Sequence, residues 1–290
     1  MEQVIKIEDE KYPKLLKEIG KDAPKQLYYK GNWGGENGDI FENCLAVVGS
    51  RHLTSYGRKI TEQFVTEIAA AGITIVSGFM YGGDEAAHRA AVRVGGKTIA
   101  VMPCGIDMIH PEYQEELYNE ILENKGLIIS EFEGKFPPAN WTYPKRNRIV
   151  AGLSKAVLII EAGLNSGSLI TADYAKEFGR KIFAVPGQIT SEVSKGTAKL
   201  IKEGAGVATE AGDILKHYNI SLATKPNLAK PSLNIGKVEQ EIIDQLKREP
   251  MEADMLARAL GISAAKIGTT LSLMQLKGFI EQEAGKYYVD

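Results

Sequence analysis

The sequence predicts an α/β fold in which a doubly wound, mostly parallel sheet is followed by a small C-terminal helical module. Two observations support this prediction. Short, continuously apolar runs alternate with amphipathic helical patterns through the middle of the 290-residue chain, which is typical of parallel strands covered on both faces. Beyond residue 236 the alternation stops, and three helical patterns with a terminal hairpin take its place.

Seven strand-like runs occur in order, and the last of them is weak: Leu45–Val48, Thr74–Ser77, Thr98–Met102, Leu127–Ser130, Val157–Ile160, Ile182–Val185 and Gly206–Ala208. Helical patterns separate them at Tyr56–Ala71, Asp84–Val94, Glu112–Asn124, Arg146–Leu153, Ser168–Phe178 and Thr197–Glu203. Four glycines follow helix ends, as C-terminal cap residues do: Gly72, Gly95, Gly126 and Gly179. Because ligands of parallel sheets bind at the carboxyl ends of the strands, we expect a site in the loops that follow them.

The chain is predicted to divide into four parts. Residues 1–40 are a short segment packing on the core, and residues 41–220 form the main domain. Residues 221–236, with Pro226 and Pro231 and no apolar periodicity, are a linker. Residues 237–290 form a winged-helix domain, from patterns at Val238–Leu246, Glu252–Leu260, Ser263–Lys277 and Phe279–Val289. This last part holds seven basic and nine acidic residues, so its charge does not favour DNA binding.

The composition indicates a soluble globular protein, with 44% hydrophobic residues, 25% charged residues and a net charge of −2. No apolar run approaches the ~20 residues of a membrane span, and Glu2, Glu8 and Asp9 are untypical of a signal peptide. We therefore expect a cytoplasmic protein without a membrane partner. Cys44 and Cys104 flank predicted strands outside any metal-ligand spacing, so we expect packed thiols.

Three polar motifs lie just beyond predicted strands, where helices begin: Gly49-Ser50-Arg51, Lys145-Arg146-Asn147-Arg148 and Ser166-Gly167-Ser168. Backbone N–H groups and the helix dipole favour an anion at such places, and three of them suggest a polyanion. The stretch Lys135–Lys202 also holds eleven basic residues against four acidic ones. We interpret it as a phosphate-binding patch, while a basic face that is merely solvated stays the alternative.

Aromatic residues precede the second motif. Phe136, Trp141 and Tyr143 stand beside basic residues on a proline-containing loop, and such a mixture suits single strands because base stacking tolerates any sequence. Trp141 and Tyr143 are therefore candidate base-stacking residues, although they could instead pack on their own loop. For Arg51 and Arg148 the alternative is a structural ion pair.

The familiar nucleotide fingerprints are missing. The chain has neither G-x-G-x-x-G after the first strand nor G-x-x-x-x-G-K-[ST], so we expect no NAD, no ATP and no other cofactor. His88 lies four residues after Asp84 at a helix start, where an N-cap and a packed histidine are the favoured interpretation, and no metal site is predicted. Glu161 is the best catalytic candidate, but a hydrogen-bonded structural carboxylate is favoured.

A longer series of ordered motifs runs from Tyr12-Pro13 to about Asp213. Besides the GSR motif at 49–51 and Tyr56-Gly57, it contains IVSG (75–78), AAH (86–88), TIAV (98–101), PKRNRIVAGLS (144–154), EA (161–162), SGSLITA (166–172), FAVPG (183–187) and LIKEGA (200–205). This series resembles the DNA-processing protein A family, DprA/Smf. The segment FMYGGD (79–84) departs from the family pattern G-L-A-x-G-I-D.

The resemblance implies an extended Rossmann-like domain that binds single-stranded DNA, forms a homodimer and loads RecA recombinase during natural transformation. It implies protection of incoming DNA and no established catalytic reaction. The residues that it places in a DNA groove are Ser50, Arg51, Arg146, Asn147, Arg148, Ser166, Gly167, Ser168 and Lys202. With Gly49 and Lys145, these are the predicted DNA- and phosphate-binding residues.

Two alternative functions are a LOG-type enzyme and a nucleotide-sensing regulator. Enzymes of the LOG type, which hydrolyse nucleoside monophosphates, carry P-G-G-x-G-T-x-x-E, and here residues 163–172 place no acid in the first helical turn. A nucleotide-sensing regulator would use the winged helix on duplex DNA, but the predicted recognition helix has only Lys266 and Lys277. Single-stranded DNA binding is therefore the expected function.

Overall fold

The computed structural model describes residues 3–34, 40–220, 236–283 and 285–289. The chain divides into two compact units, Met1–Pro226 and Asn227–Asp290, and each has a hydrophobic core of its own. The predicted linker at 221–236 lies outside the described residues except for Gly236, where a helix begins. No helix in the described ranges is both long and apolar enough to cross a bilayer.

The first unit is built on a nine-stranded sheet. Its strands are β1 (Gln3–Lys6), β2 (Gln26–Gly31), β3 (Cys44–Val48), β4 (Thr74–Ser77), β5 (Thr98–Gly105), β6 (Leu127–Phe132), β7 (Ala156–Ile159), β8 (Lys181–Ala184) and β9 (Gly206–Val207). The order is β1-β2-β6-β5-β4-β3-β7-β8-β9. All neighbours from β6 to β9 are parallel, whereas β1 and β2 are antiparallel additions. The predicted doubly wound, mostly parallel sheet is confirmed.

The described residues of this unit form eight helices: α1 (Lys14–Lys17), α2 (Ser55–Ala70), α3 (Gly83–Arg93), α4 (Glu115–Glu123), α5 (Thr142–Gly152), α6 (Gly167–Glu177), α7 (Lys195–Lys202) and α8 (Ala211–His217). The six that were predicted, α2 to α7, begin and end close to the predicted positions. The largest difference is in α5, which begins at Thr142 instead of Arg146. The predicted helix from Glu112 starts as a separate 3₁₀ turn at Glu112–Gln114.

The strand side chains alternate between two cores. In β3, Leu45 and Val47 pack with α2, α3 and α8 on one face, while Ala46 and Val48 pack with α1, α5, α6 and α7 on the other. This burial on both faces explains why the strands are continuously apolar in sequence. The chain proceeds outward from β3 through β4 and returns on its other side at β7. A crevice therefore opens at the carboxyl ends of these three strands.

The segment before β3 is more than a cover for the core. Residues 3–34 contribute the two antiparallel strands, with Tyr29 opposite Ile129 of β6. Neither strand was predicted, because β1 is buried only at Ile5 and β2 only at Leu27 and Tyr28, so neither has the continuous burial of the central strands. The structure also describes α1 and α8, for which the sequence analysis made no prediction.

Three of the four predicted cap glycines adopt the left-handed backbone, with φ of 89° at Gly72, 67° at Gly95 and 66° at Gly179. The prediction for Gly126 is wrong, because the left-handed residue after α4 is Lys125, with φ of 59°. Gly126 is needed for space instead. A Cβ there would lie 2.7 Å from the carbonyl oxygens of both Ile121 and Thr98.

The second unit consists of α9 (Lys237–Leu246), α10 (Ala253–Leu260), α11 (Ala264–Leu276) and a hairpin of β10 (Ile280–Glu283) and β11 (Lys286–Val289). Ile242, Leu256, Ile267 and Leu271 are buried in its core. Three helices and a wing give the predicted winged-helix fold.

Candidate functional site

A cavity of about 830 Å³ occupies the crevice beyond β3, β4 and β7. Nine of the thirteen predicted binding and stacking residues line it: Gly49, Ser50, Arg51, Tyr143, Arg146, Asn147, Ser166, Gly167 and Ser168. The three motifs, which lie more than a hundred residues apart at their extremes, therefore meet at one place. Lys145, Arg148, Lys202 and Trp141 are not among its lining residues.

The loop after β3 is fixed from below by Glu161. The Ser50 N–H donates to the Glu161 carbonyl oxygen at 2.8 Å. The Glu161 carboxylate accepts the Thr54 N–H at 2.9 Å and the Thr54 hydroxyl at 2.5 Å. A Cβ at Gly57 would lie 2.4 Å from this carboxylate, so the first turn of α2 needs a glycine there. Glu161 is thus buried and hydrogen-bonded, which confirms the interpretation as a structural carboxylate.

Arg51 lies exposed at the mouth of the cavity between two aromatic rings. Its Cζ is 5.6 Å from the Tyr81 ring centroid and 5.2 Å from that of Tyr143, which is cation–π geometry. His52 stands against the outer side of Tyr81, and His110 Nε2 lies 2.9 Å from the Tyr143 hydroxyl. Within the described ranges no carboxylate lies within 4.0 Å of Arg51, so the structural ion pair considered for it is wrong there. Its charge remains available to an anion.

Arg146 forms the floor of the cavity. It is 4% exposed, and its Nη1 donates to the carbonyl oxygens of Gly78 and Val101. Its Nε donates to Asn147 Oδ1 at 3.1 Å. Burial lowers the pKa of Arg146 to about 10, an effect that the neighbouring Asp84 carboxylate partly offsets. Arg146 therefore supplies a positive floor, although most of its donors are already used by the protein.

Asp84 and His88 are both buried beside this floor. Gly82, not Asp84, is the N-cap of α3, so the predicted cap is wrong; Asp84 Oδ2 instead accepts the Met80 N–H at 3.3 Å. Burial raises the pKa of the Asp84 carboxyl. His88 Nδ1 lies 2.7 Å from Thr98 Oγ1, and burial, with a smaller contribution from Arg146, lowers the pKa of His88 to about 3. The packed histidine that was predicted is confirmed.

The third wall is the start of α6. Ser166 is the N-cap, and its hydroxyl accepts the Ser168 N–H at 3.4 Å. Asn147 ties this loop to α5, because its Nδ2 donates to the Gly167 carbonyl oxygen at 3.3 Å. The N-terminal end of an eleven-residue helix thus faces the cavity, where its dipole favours an anion.

Two basic residues of α5 have protein partners instead. The Nη2 atom of Arg148 lies 2.7 Å from Glu131, and this side chain is 10% exposed. Lys145 Nζ lies 3.2 Å from the same carboxylate. The ion-pair interpretation therefore describes the environment of Arg148, and its contact with DNA stays a prediction. The contact of Lys202 with DNA also stays a prediction; this residue lies exposed in the last turn of α7.

Trp141 belongs to an aromatic patch outside the cavity lining. It is 53% exposed and packs edge-on against Phe132 and Phe136, at 5.7 and 6.1 Å between ring centroids. Lys145 lies over the Phe132 and Trp141 rings. Trp141 thus contacts Phe136 of its own loop and Phe132 of β6, and base stacking on this exposed ring stays a prediction, whereas Tyr143 lines the cavity.

Sequence reasoning missed other lining residues: His52, Tyr81, Asn140 and Asn165. Tyr81 carried one signal, since it lies in the FMYGGD segment that departs from the family pattern. Of the other three, His52 directly follows the motif at 49–51 and Asn165 directly precedes the serines of the motif at 166–168, whereas Asn140 lies in the loop before α5. Cys44 and Cys104 are buried thiols, and no His, Cys, Asp or Glu cluster in the described residues could hold a metal ion.

Comparison with known proteins agrees with this geometry. Family models for DNA recombination-mediator protein A and for the DprA winged helix domain match residues 3–219 and 225–286. Protein Smf of Escherichia coli K12 is 37% identical over 272 residues, covering 92% of this chain and 72% of its own length. DNA processing protein DprA of Streptococcus pneumoniae is 41% identical over 211 residues, covering 72% of each chain.

Two solved structures are also similar. The X-ray structure of the Streptococcus pneumoniae protein has a TM-score of 0.69 at 40% identity and covers 74% of each chain. A structure of DNA processing protein A from Helicobacter pylori, which concerns its single-stranded DNA binding mode, has a TM-score of 0.65 at 31% identity and covers 75% of this chain and 96% of its own. This chain therefore belongs to the DNA recombination-mediator protein A family.

Proposed function

We propose that this chain is a recombination mediator that binds single-stranded DNA in the large cavity. The observation that carries the proposal is the exposed Arg51 guanidinium, which Tyr81 and Tyr143 hold between their rings at the cavity mouth. Arg51 and the N-terminal end of α6 line the same cavity. Two positive features in one cavity suit a phosphate backbone, and the relative from Helicobacter pylori binds single-stranded DNA.

A single strand fits these walls better than a duplex. Tyr81 and Tyr143 line the same cavity as Arg51, and an unpaired strand can turn its bases toward aromatic rings while its phosphates reach a cation. Stacking and phosphate contacts do not depend on base identity, so binding without sequence preference follows.

We propose binding without catalysis. The candidate acid–base groups near the cavity already have structural roles, since Glu161 holds the start of α2 and Asp84 lies buried against Arg146. His88 is neutral and buried. The first turn of α6 also lacks the glutamate that the LOG-type enzymes carry at the corresponding place.

We further propose that the chain acts as a homodimer that protects incoming DNA and transfers it to RecA during natural transformation. The support is the family itself, whose members are described as recombination mediators. Light scattering of the full chain should give twice the 31.6 kDa mass of the protomer, and the protein should accelerate RecA filament formation on coated single strands. A monomer without any effect on RecA would contradict this part of the proposal.

The DNA-binding proposal is tested by fluorescence anisotropy with a labelled single strand and the matching blunt duplex over a salt series. The single strand should bind more tightly at every salt concentration. Its affinity should fall as salt rises, because phosphate contacts release counterions, with a logarithmic slope of about −0.7 per contact. Equal or tighter binding of the duplex at moderate salt would overturn the proposal.

A further inference from the structure

A second cavity, of about 260 Å³, lies beside the large one between α6 and α7. The two cavities share Leu164, Asn165, Ser166 and Ile170 as walls. A chain of nucleotides that occupies the large cavity can therefore continue into the small one. The remaining walls of the small cavity are Leu169, Asp173, Lys199, Leu200 and Glu203.

One side of the small cavity is apolar. Leu164, at the rim shared by both cavities, is 56% exposed, and it stands beside Leu169 and Ile170. A flat apolar ligand that covered these side chains would remove them from water, which is favourable.

The charges of the small cavity are unsuited to a phosphate. Two carboxylates, Asp173 and Glu203, face one ammonium group, that of Lys199, which lies 3.8 Å from Glu203. A phosphate would be repelled by this balance of charge. A nucleobase is neutral, has apolar faces, and in cytosine and adenine carries an amino group that donates well to a carboxylate.

We propose that the small cavity is a nucleobase subsite, which holds the base of a nucleotide adjoining the strand in the large cavity. The base lies against Leu164 and Leu169, its amino group donates to Asp173, and its phosphate stays on the side of Arg51 and the start of α6. This inference rests on the proposed function, because it takes the large cavity to be the site of the DNA backbone.

The test compares Leu164→Ala with Ile189→Ala on two oligonucleotides of equal length, oligo(dC) and a fully abasic strand. Ile189 is a matched control, since it is 94% exposed and lines neither cavity. Leu164→Ala should lower the affinity for oligo(dC) about three- to tenfold, the loss expected when part of one leucine contact is removed. Its affinity for the abasic strand and its melting temperature should not change, and Ile189→Ala should alter neither affinity.

An equal effect of Leu164→Ala on both strands, or no effect on either, overturns the subsite. Asp173→Asn supplies a second variant, which should lower the ratio of affinities for oligo(dC) over oligo(dT); an unchanged ratio overturns the role of the carboxylate. Arg51→Ala in the same assay should lower the affinity for both strands. If Arg51→Ala lowers neither affinity, the proposed function fails, and this result is distinct from failure of the subsite alone.

Discussion

The loop after β3 and the first turns of α5 both carry basic residues that point to phosphate binding, namely Arg51 in the loop and Lys145, Arg146 and Arg148 in the helix, but these residues have different environments. Arg51 ends between two aromatic rings at the surface. On α5, Arg146 is committed to backbone carbonyls and Arg148 to Glu131. A cluster of basic residues in sequence therefore does not identify which charges a ligand can reach. Burial and the available partners decide that.

The largest effect expected from this comparison is on stability, for Arg148→Ala. Removing the guanidinium leaves Glu131, which is 18% exposed, with Lys145 as its remaining partner. The free energy of unfolding should fall by roughly 2–4 kcal/mol, as for other broken buried pairs, and urea denaturation measures it. Lys145→Ala is the control, and removing this more exposed partner should cost about 1 kcal/mol or less. If Arg148→Ala leaves the stability unchanged and weakens DNA binding, Arg148 is a DNA-binding residue like Arg51 and the ion pair is not its main role.

The buried side of the cavity should also respond to pH. His88 has its pKa lowered from 6.5 to about 3, so between these values the unfolded chain binds a proton that the folded chain does not. Stability should therefore fall as pH decreases through this range, by about 1.4 kcal/mol per pH unit and roughly 2 kcal/mol at pH 5. Urea denaturation of the wild type and His88→Gln at pH 7 and pH 5 should show a smaller loss in the variant. If the wild type and His88→Gln lose the same unfolding free energy between pH 7 and pH 5, His88 does not cause the pH dependence.

A smaller free-energy change, confined to binding, is expected at the exposed loop. Arg51→Ala should weaken single-strand binding by roughly 1–3 kcal/mol through loss of a charge-assisted contact, with an unchanged melting temperature. Arg93→Ala is the matched control, because Arg93 is exposed and does not line the cavity. Fluorescence anisotropy at one salt concentration measures the single-strand affinity of both variants, and only Arg51→Ala should bind more weakly than the wild type. If Arg51→Ala lowers the melting temperature and leaves the DNA affinity unaltered, Arg51 has a structural role, as the arginines of α5 do.

The smallest effect is expected from deleting residues 236–290, because the cavity belongs wholly to the first unit. Single-strand affinity of the folded remainder should change less than about threefold, although a contribution to avidity can be lost. The same anisotropy assay measures this, after circular dichroism has shown the remainder to be folded. A hundredfold loss would move DNA binding from the cavity to the winged helix.

Local patterns predicted most of the fold. The strands β3 to β8 and the helices between them begin and end near the predicted residues, because continuous apolar runs and helical periodicity reflect burial that each segment carries in its own sequence. The strands β1 and β2 gave no such signal. They join the sheet by antiparallel pairing, β1 with β2 and β2 with β6, which is a property of distant residues.

The sequence by itself determined the fold class, the winged-helix module and the place where three anion-favouring motifs would meet. That was decidable because the carboxyl ends of neighbouring parallel strands share one edge of the sheet. Only the tertiary structure decided which cations remain exposed. Tyr81 contacts Arg51, Glu131 pairs with Arg148 and the carbonyl oxygen of Gly78 accepts from Arg146, and each partner lies outside the sequence motif of its arginine. The energy of a charge depends on its partners and its access to water, and neither is encoded in the local pattern around it.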